Sequence, residues 1–178
     1  MIQVVNIVAS GSLGIELDLK VLSQELDEIA DYDPEKDSGA YVRFEGHPLI
    51  TIYRTGKYII TGASTESGLS LARKALLNEL QNHEILSSSE DNGFAIQNYV
   101  CVGNVQQQLD LNGLAIGLGL EVTEYEPEQF PALVYRAPNQ DCVILIFGSG
   151  RVVITGAKDI ESAEQAFTSL CERIDEPL

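Results

Sequence analysis

The chain has 178 residues, with 27 acidic side chains against 11 basic ones and a formal net charge of −16. That length suits one large domain or two small similar ones, and a hydrophobic content of 44% is enough for a core and excludes a disordered chain. No apolar run of about 18 residues is present to span a membrane. The chain enters directly on the strand-like MIQVVNIVAS with no basic segment before it, so no signal peptide is expected and the location is read as cytoplasmic.

Taken alone, the acidity weighs against nucleic acid, because phosphate contacts are made by Lys and Arg. It does fit a cytosol of molar salt, where screening over about 3 Å blunts carboxylate repulsion. A halophile is the expectation; an ordinary acidic protein is the alternative. Cys101, Cys142 and Cys171 are far apart, and His47 and His83 are the only histidines. No zinc or disulfide spacing results. The cysteines are read as reduced, mostly buried thiols, and His47, next to Pro48, as a turn residue.

In chain order, an alternating strand is predicted from Val4 to Ser10. A helix follows, with Leu19, Leu22, Leu26 and Ile29 at helical spacing and Asp18 as its N-cap. Several strands come next and end in TGKYIITG. An amphipathic helix then carries Leu69, Ala72, Leu76 and Leu80. After the polar linker Ser87 to Gly93 the series starts again. A strand is predicted from Ile96 to Val102, then a helix with Leu111, Leu114, Ala115 and Leu118. Strands ending in SGRVVITG follow, and a helix with Ala163, Ala166, Phe167, Leu170 and Ile174 closes the series.

The two passes are one motif used twice. VVNIVASGSLGIELDLK echoes IQNYVCVGNVQQQLDLN, DYDPEKDSGAYVR echoes EYEPEQFPALVYR, and LITIYRTGKYIITGA echoes VILIFGSGRVVITGA. Asn6 and Asn98 lie 92 residues apart, Arg43 and Arg136 lie 93 apart, and Gly56 and Gly150 lie 94 apart. Residues 1–88 form the first repeat and 89–178 the second. Strand, helix, strands, helix in each copy predicts an α+β fold with helices on one sheet face.

The other face then decides function. By alternation, Val5, Ile7, Ala9, Tyr58 and Ile60 point toward the helices. Asn6, Val8, Ser10, Lys57, Ile59 and Thr61 point away, as do Asn98, Val100, Arg151, Val153 and Thr155 in the second copy. This set holds no acid–base pair with a nucleophile, no metal cluster and no phosphate-cradling loop. Small apolar groups with Asn and Thr donors suit an A·T minor groove, which offers only acceptors. Apolar wedges there can pry base steps apart.

The stretches IQNYV, LAIGLGLEVTEYEPEQFPALVYR and LIFGSGRVVITGAK, set in this duplicated frame, resemble the TATA-box-binding protein family over nearly the whole chain. The resemblance implies a pseudo-twofold saddle, a ten-stranded antiparallel sheet with four helices on its convex face. It also implies a concave face that binds double-stranded TATA-box DNA. Transcription factor B is the implied protein partner, RNA polymerase is engaged indirectly, and no membrane or cofactor is involved. The family's central asparagines fall on Asn6 and Asn98, its groove-floor valines on Val8 and Val100, and its strand threonines on Thr61 and Thr155, with Ile59 and Val153 beside them. Its wedge phenylalanines fall on Phe130 and Phe147, supported by Leu145. Its phosphate-contacting cations fall on Arg43, Lys57, Arg136 and Arg151. The acidic stirrup that meets transcription factor B falls on Glu126 and Glu128.

The first copy departs from this pattern. Asp37 stands at one wedge position, Tyr53 at the other, and Thr51 where the second copy has Leu145. Tyr53 can still stack, but Asp37 adds a like charge near phosphate. The first copy is therefore expected to bend its half of the site less than the second; equal kinks in a bound structure would overturn this. Three functions stay open: a general initiation factor, a paralogue with weakened DNA binding that regulates through protein contacts, and a domain associated with a DNA-processing enzyme. A weak homodimer off DNA is also left open.

Overall fold

The computed structural model describes residues 1–88 and 92–175. The first repeat comprises β1 (Gln3–Ser12), α1 (Leu19–Glu25), β2 (Ala30–Asp31), β3 (Gly39–Val42), β4 (Leu49–Tyr53), β5 (Lys57–Ala63) and α2 (Glu66–Asn82). The second comprises β6 (Asn92–Asn104), α3 (Leu111–Leu118), β7 (Thr123–Glu124), β8 (Ala132–Tyr135), β9 (Val143–Phe147), β10 (Arg151–Ala157) and α4 (Ile160–Asp175). The ten strands form one antiparallel sheet in the order β2-β3-β4-β5-β1-β6-β10-β9-β8-β7, so the fold is α+β with four helices and an internal duplication. The chain clusters into two compact units, Asn6–Gln97 and Met1–Val5 with Asn98–Leu178. The division runs through β1 and β6. The sequence boundary at 88/89 adjoins residues 89–91, and part of the polar linker therefore lies outside the described residues.

Helix starts follow capping chemistry. Asp18 accepts from the backbone N–H of Lys20 and Val21 ahead of α1, Asp110 from Asn112 ahead of α3, and Thr65 from Gly68 ahead of α2. Asp159, just before α4, accepts from Ser162 N at 2.7 Å. The Ser162 hydroxyl and backbone N–H hold its carboxyl below the usual range.

In the unit Asn6–Gln97, Ile7, Ala9, Ala40, Val42, Ile50, Ile52, Tyr58 and Ile60 line the buried sheet face, together with Leu19 and Leu22 of α1 and Leu69, Ala72, Leu76 and Leu80 of α2. In the other unit Tyr99, Cys101, Leu133, Ile144, Ile146, Val152 and Ile154 repeat that pattern with Leu111, Leu114, Ala163, Ala166, Phe167 and Leu170. Burying each large aliphatic side chain stabilises by about 1.5–3 kcal/mol. The ring of Phe94 stacks on Tyr58 at 6.4 Å, and the Arg73 guanidinium lies 4.7 Å over Phe94.

Three sequence expectations are corrected. Val5 is 44% exposed and does not join the core. The β1–β5 ladder begins at Ile7, opposite Ala63, so Val5 lies beyond it. Ile29 is not helical: α1 ends at Glu25, Leu26 leaves helical geometry, and the N–H groups of Ile29 and Ala30 both fold back onto the Leu26 carbonyl. The first strand of each repeat is also longer than alternation predicts, Gln3–Ser12 and Asn92–Asn104.

Gly56 and Gly150 close the β4–β5 and β9–β10 turns at φ of +83° and +85°. Each carbonyl accepts from the segment after the repeat's first strand, from Leu13 N and Val105 N respectively, both at 2.9 Å. A Cβ on Gly56 would strike the Ile15 carbonyl oxygen, and one on Gly150 the Gln107 carbonyl oxygen. Gly150→Ala is therefore expected to lower stability by at least about 2 kcal/mol, since left-handed strain is compounded by the contact. Urea unfolding in high salt measures this, and a loss below about 0.5 kcal/mol would show that the turn relaxes freely.

Candidate nucleic-acid interface

The sheet face opposite each repeat's helices is built from half-buried side chains. In the first repeat it carries Asn6, Val8 and Ser10 on β1, Tyr41 on β3, Leu49, Thr51 and Tyr53 on β4, and Ile59 and Thr61 on β5. In the second it carries Asn98, Val100 and Val102 on β6, Val134 on β8, Val143, Leu145 and Phe147 on β9, and Val153 and Thr155 on β10. Of the residues expected from alternation to face away from the helices, Asn6, Val8, Ser10, Ile59, Thr61, Asn98, Val100, Val153 and Thr155 are half-buried beside buried neighbours, whereas Lys57 and Arg151 are exposed. Tyr41 and Val134 also lie on this face. Neither was named from the sequence, although alternation is the signal that finds them, since each sits between inward partners, Ala40 and Val42 or Leu133 and Tyr135.

The asparagines are locked. Asn6 Oδ1 accepts from Gly62 N at 2.7 Å, and Asn98 Oδ1 accepts from Gly156 N at 2.6 Å. Gly62 and Gly156 stand at φ of +97° and +88°, where each pairing of first and last strand slips register, between Ile7 and Ala9 and between Ile154 and Ala157. The bulge frees one backbone N–H from the ladder, and the asparagine oxygen takes it. The amide orientation follows, because an oxygen must face that donor. Each Nδ2 is then the group left over, and it can only donate. Asn98 Nδ2 makes one long contact, 3.4 Å to Thr155 Oγ1.

The far end of the second repeat is aromatic. Phe130 is 42% exposed, just ahead of β8, and its ring meets Phe147 edge-on at 6.4 Å. Leu145 lies between Val134 and Val153 in the ladder. The first repeat holds no such pair. Asp37 closes a turn in which its N–H donates to Asp33 O at 2.8 Å and its carboxylate accepts from Asp33 N at 3.4 Å.

The cations lie toward the margins. Arg43, Lys57, Arg136 and Arg151 are all exposed. The Arg43 guanidinium is 5.6 Å from the Tyr41 ring centroid, and Arg136 pairs with Glu124 at 3.7 Å. Glu126 and Glu128 project from an exposed turn in which Gln129 N and Phe130 N both donate to Glu126 O at 2.9 Å.

Among the described residues no group of His, Cys, Asp and Glu is placed to hold a metal. Cys101 and Cys142 are buried, and burial pushes both thiols up, away from the reactive thiolate. No described helix is long and apolar enough to cross a membrane.

A duplicated α+β sheet with a polar-centred, apolar outward face on each half defines a class of double-repeat proteins with a broad exposed surface. The family model "Transcription factor TFIID (or TATA-binding protein, TBP)" matches residues 1–83 and 93–176, and the chain belongs to the TATA-box-binding protein family. It is 46% identical over 177 residues to TATA-box-binding protein C of Halobacterium salinarum, covering 98% of each chain. It is 42% identical to the TATA-box-binding protein of Natronomonas pharaonis, over 98% of this chain and 93% of that one. Among solved structures it resembles Methanococcus jannaschii TBP, with a TM-score of 0.83 and 36% identity over 99% of both chains. The two sequence relatives come from halophilic archaea, in keeping with the acidic composition.

Proposed function

We propose that this chain is a general transcription initiation factor that binds TATA-box promoter DNA in the minor groove, bends it, and recruits transcription factor B. One observation carries the reading: each repeat centres its outward face on an asparagine whose oxygen is consumed by a backbone N–H, so that the surface offers donors and apolar floor to an acceptor-only groove. Thr61 and Thr155 add hydroxyls beside the amides. Val8, Ile59, Val100 and Val153 supply the floor. Phe130 and Phe147 are the wedge of the second repeat, backed by Leu145, and Tyr53 is the ring that the first repeat offers. Arg43, Lys57, Arg136 and Arg151 reach phosphates, and RNA polymerase is engaged only indirectly.

The test is titration of a labelled TATA duplex from about 0.1 M to about 3 M KCl, beside a scrambled duplex. Specific binding is expected, and Phe130→Ala is expected to weaken it roughly tenfold or more, the worth of a base–aromatic contact. Equal binding of both duplexes at every salt concentration would overturn the reading. At about 2 M KCl, where surface charge is screened, Glu126→Gln with Glu128→Gln is expected to change binary binding less than about threefold and to remove the supershift by transcription factor B, since both side chains are exposed on a turn outside the strands. An unaltered supershift would remove these two residues from the partner surface.

A second reading has its own observation. Asp37 and Thr51 erode the first repeat while the second keeps its aromatic pair, as would suit a paralogue that regulates through protein contacts. Absence of specific DNA binding combined with retained transcription factor B binding would favour it.

A further inference from the structure

Building on the minor-groove reading above, we infer that the two repeats demand different half-sites: the second requires A·T pairs and a deformable step, whereas the first accepts a G·C pair and leaves its base steps stacked. Equivalent ladder positions carry opposite chemistry. In the second repeat Val134 pairs with Leu145, and Leu145 with Val153. In the first, Tyr41 pairs with Thr51, and Thr51 with Ile59. The apolar row becomes a row with two hydroxyls, and Tyr53 adds a third at the next outward position of β4.

The outer ends differ in shape as well. Ala132 stands opposite Phe147, whose ring leans edge-on against the exposed Phe130. Gly39 stands opposite Tyr53. A Cβ added at Gly39 would lie 3.2 Å from Tyr53 Cδ1 and 2.9 Å from Thr51 Cγ2. The missing methyl therefore lets Tyr53 and Thr51 settle onto the strand. With Asp37 tied back into its turn, the first repeat has no paired apolar wedge to insert.

A minor-groove G·C pair differs from A·T by the guanine N2–H donor. Against Val134, Leu145 and Val153 that donor has no acceptor and is buried at a penalty. Against Tyr41 and Thr51 it meets hydroxyl oxygens that can accept, because hydroxyls both donate and accept. Without a wedge, the first repeat also has no need of the easily unstacked pyrimidine–purine step that eases kinking.

The experiment uses the whole chain and four duplexes: an all-A·T core with a TA step at each end, the same core with one outer pair replaced by G·C at either end, and the core with both ends replaced. A single G·C end is expected to lower affinity less than about threefold whichever end carries it, because the protein turns its first repeat toward it. Replacing both ends is expected to lower affinity tenfold or more, in the range of a disallowed base pair. With one end marked by G·C, permanganate, which attacks unstacked thymines from the major-groove side, is expected to oxidise thymines only at the opposite end. Tyr41→Val with Thr51→Leu, which installs the second repeat's residues, is expected to make the single replacement as damaging as the double. A tenfold loss for a single G·C end in the unsubstituted protein, or unstacking at the G·C end, would overturn the inference while leaving TATA binding intact. Failure to bind the all-A·T duplex would overturn the minor-groove reading itself and this inference with it.

Discussion

Asn98→Asp is expected to keep the fold and abolish specific duplex binding, with an affinity loss of a hundredfold or more. The substitution is nearly isosteric. One carboxylate oxygen can take over the 2.6 Å contact from Gly156 N, and a charged acceptor strengthens such a bond. The bulge therefore stays pinned and the melting temperature is expected to move by only a few degrees. What changes is the other end of the side chain. The two donors of Nδ2 become an acceptor bearing charge, facing base edges that are themselves acceptors. Unpaired polar groups of this kind cost about 1–3 kcal/mol each, and more when charged. Asn98→Ala separates the two roles, since it removes the pin as well and is expected to lower stability by about 1 kcal/mol besides weakening binding. Paired shift assays and melts decide the matter. Asn98→Asp binding within threefold of the unsubstituted protein would mean that the amide does not read the groove. Asn6→Asp is expected to behave in parallel, because the Gly62 contact is equivalent.

The duplication is legible in the sequence because its motifs recur 92 to 94 residues apart, and the two sheet faces because alternation is a local signal. A period of two along β5 and β10 separates Tyr58, Ile60, Val152 and Ile154 from Ile59, Thr61, Val153 and Thr155 without reference to any distant residue. Failures came where a local turn imitates a helix and where a distant partner decides. Ile29 continues the helical spacing of Leu19, Leu22 and Leu26, yet the chain has already turned at Leu26, and a turn that folds back onto the same carbonyl imitates helical periodicity. Val5 continues the alternation of Ile7 and Ala9 but falls outside the ladder with β5. Placing the asparagines on the outward face needed only alternation. Knowing which end of each amide is spent needed the contact to Gly62, 56 residues away, and to Gly156, 58 residues away. The same is true of Gly39, whose importance lies in Tyr53 across the ladder.

Binding is expected to change less than tenfold between about 0.2 M and about 2 M KCl. A protein that released counterions from four phosphates would lose on the order of a few thousandfold over that decade of salt. Four exposed cations, Arg43, Lys57, Arg136 and Arg151, stand at the margins of the two faces, so that loss is the ordinary expectation. Two features oppose it. The chain carries a net charge of −16, so its approach to DNA is repulsive until salt shortens the screening length to a few ångströms. Arg136, moreover, is held 3.7 Å from Glu124, a surface pair whose Coulomb attraction screening weakens. Rising salt therefore loosens phosphate contacts while removing repulsion and releasing a cation to make them. Where cations are drawn in between carboxylates and phosphates, the slope of log affinity against log salt turns positive. Fluorescence anisotropy of one TATA duplex across the series reads the slope directly. A steep negative slope near that of four released counterions would show that the acidic surface stays clear of the DNA. Replacing Glu124 with Gln would then have no effect on the slope, whereas the coupling described here expects that substitution to steepen it toward the ordinary negative value.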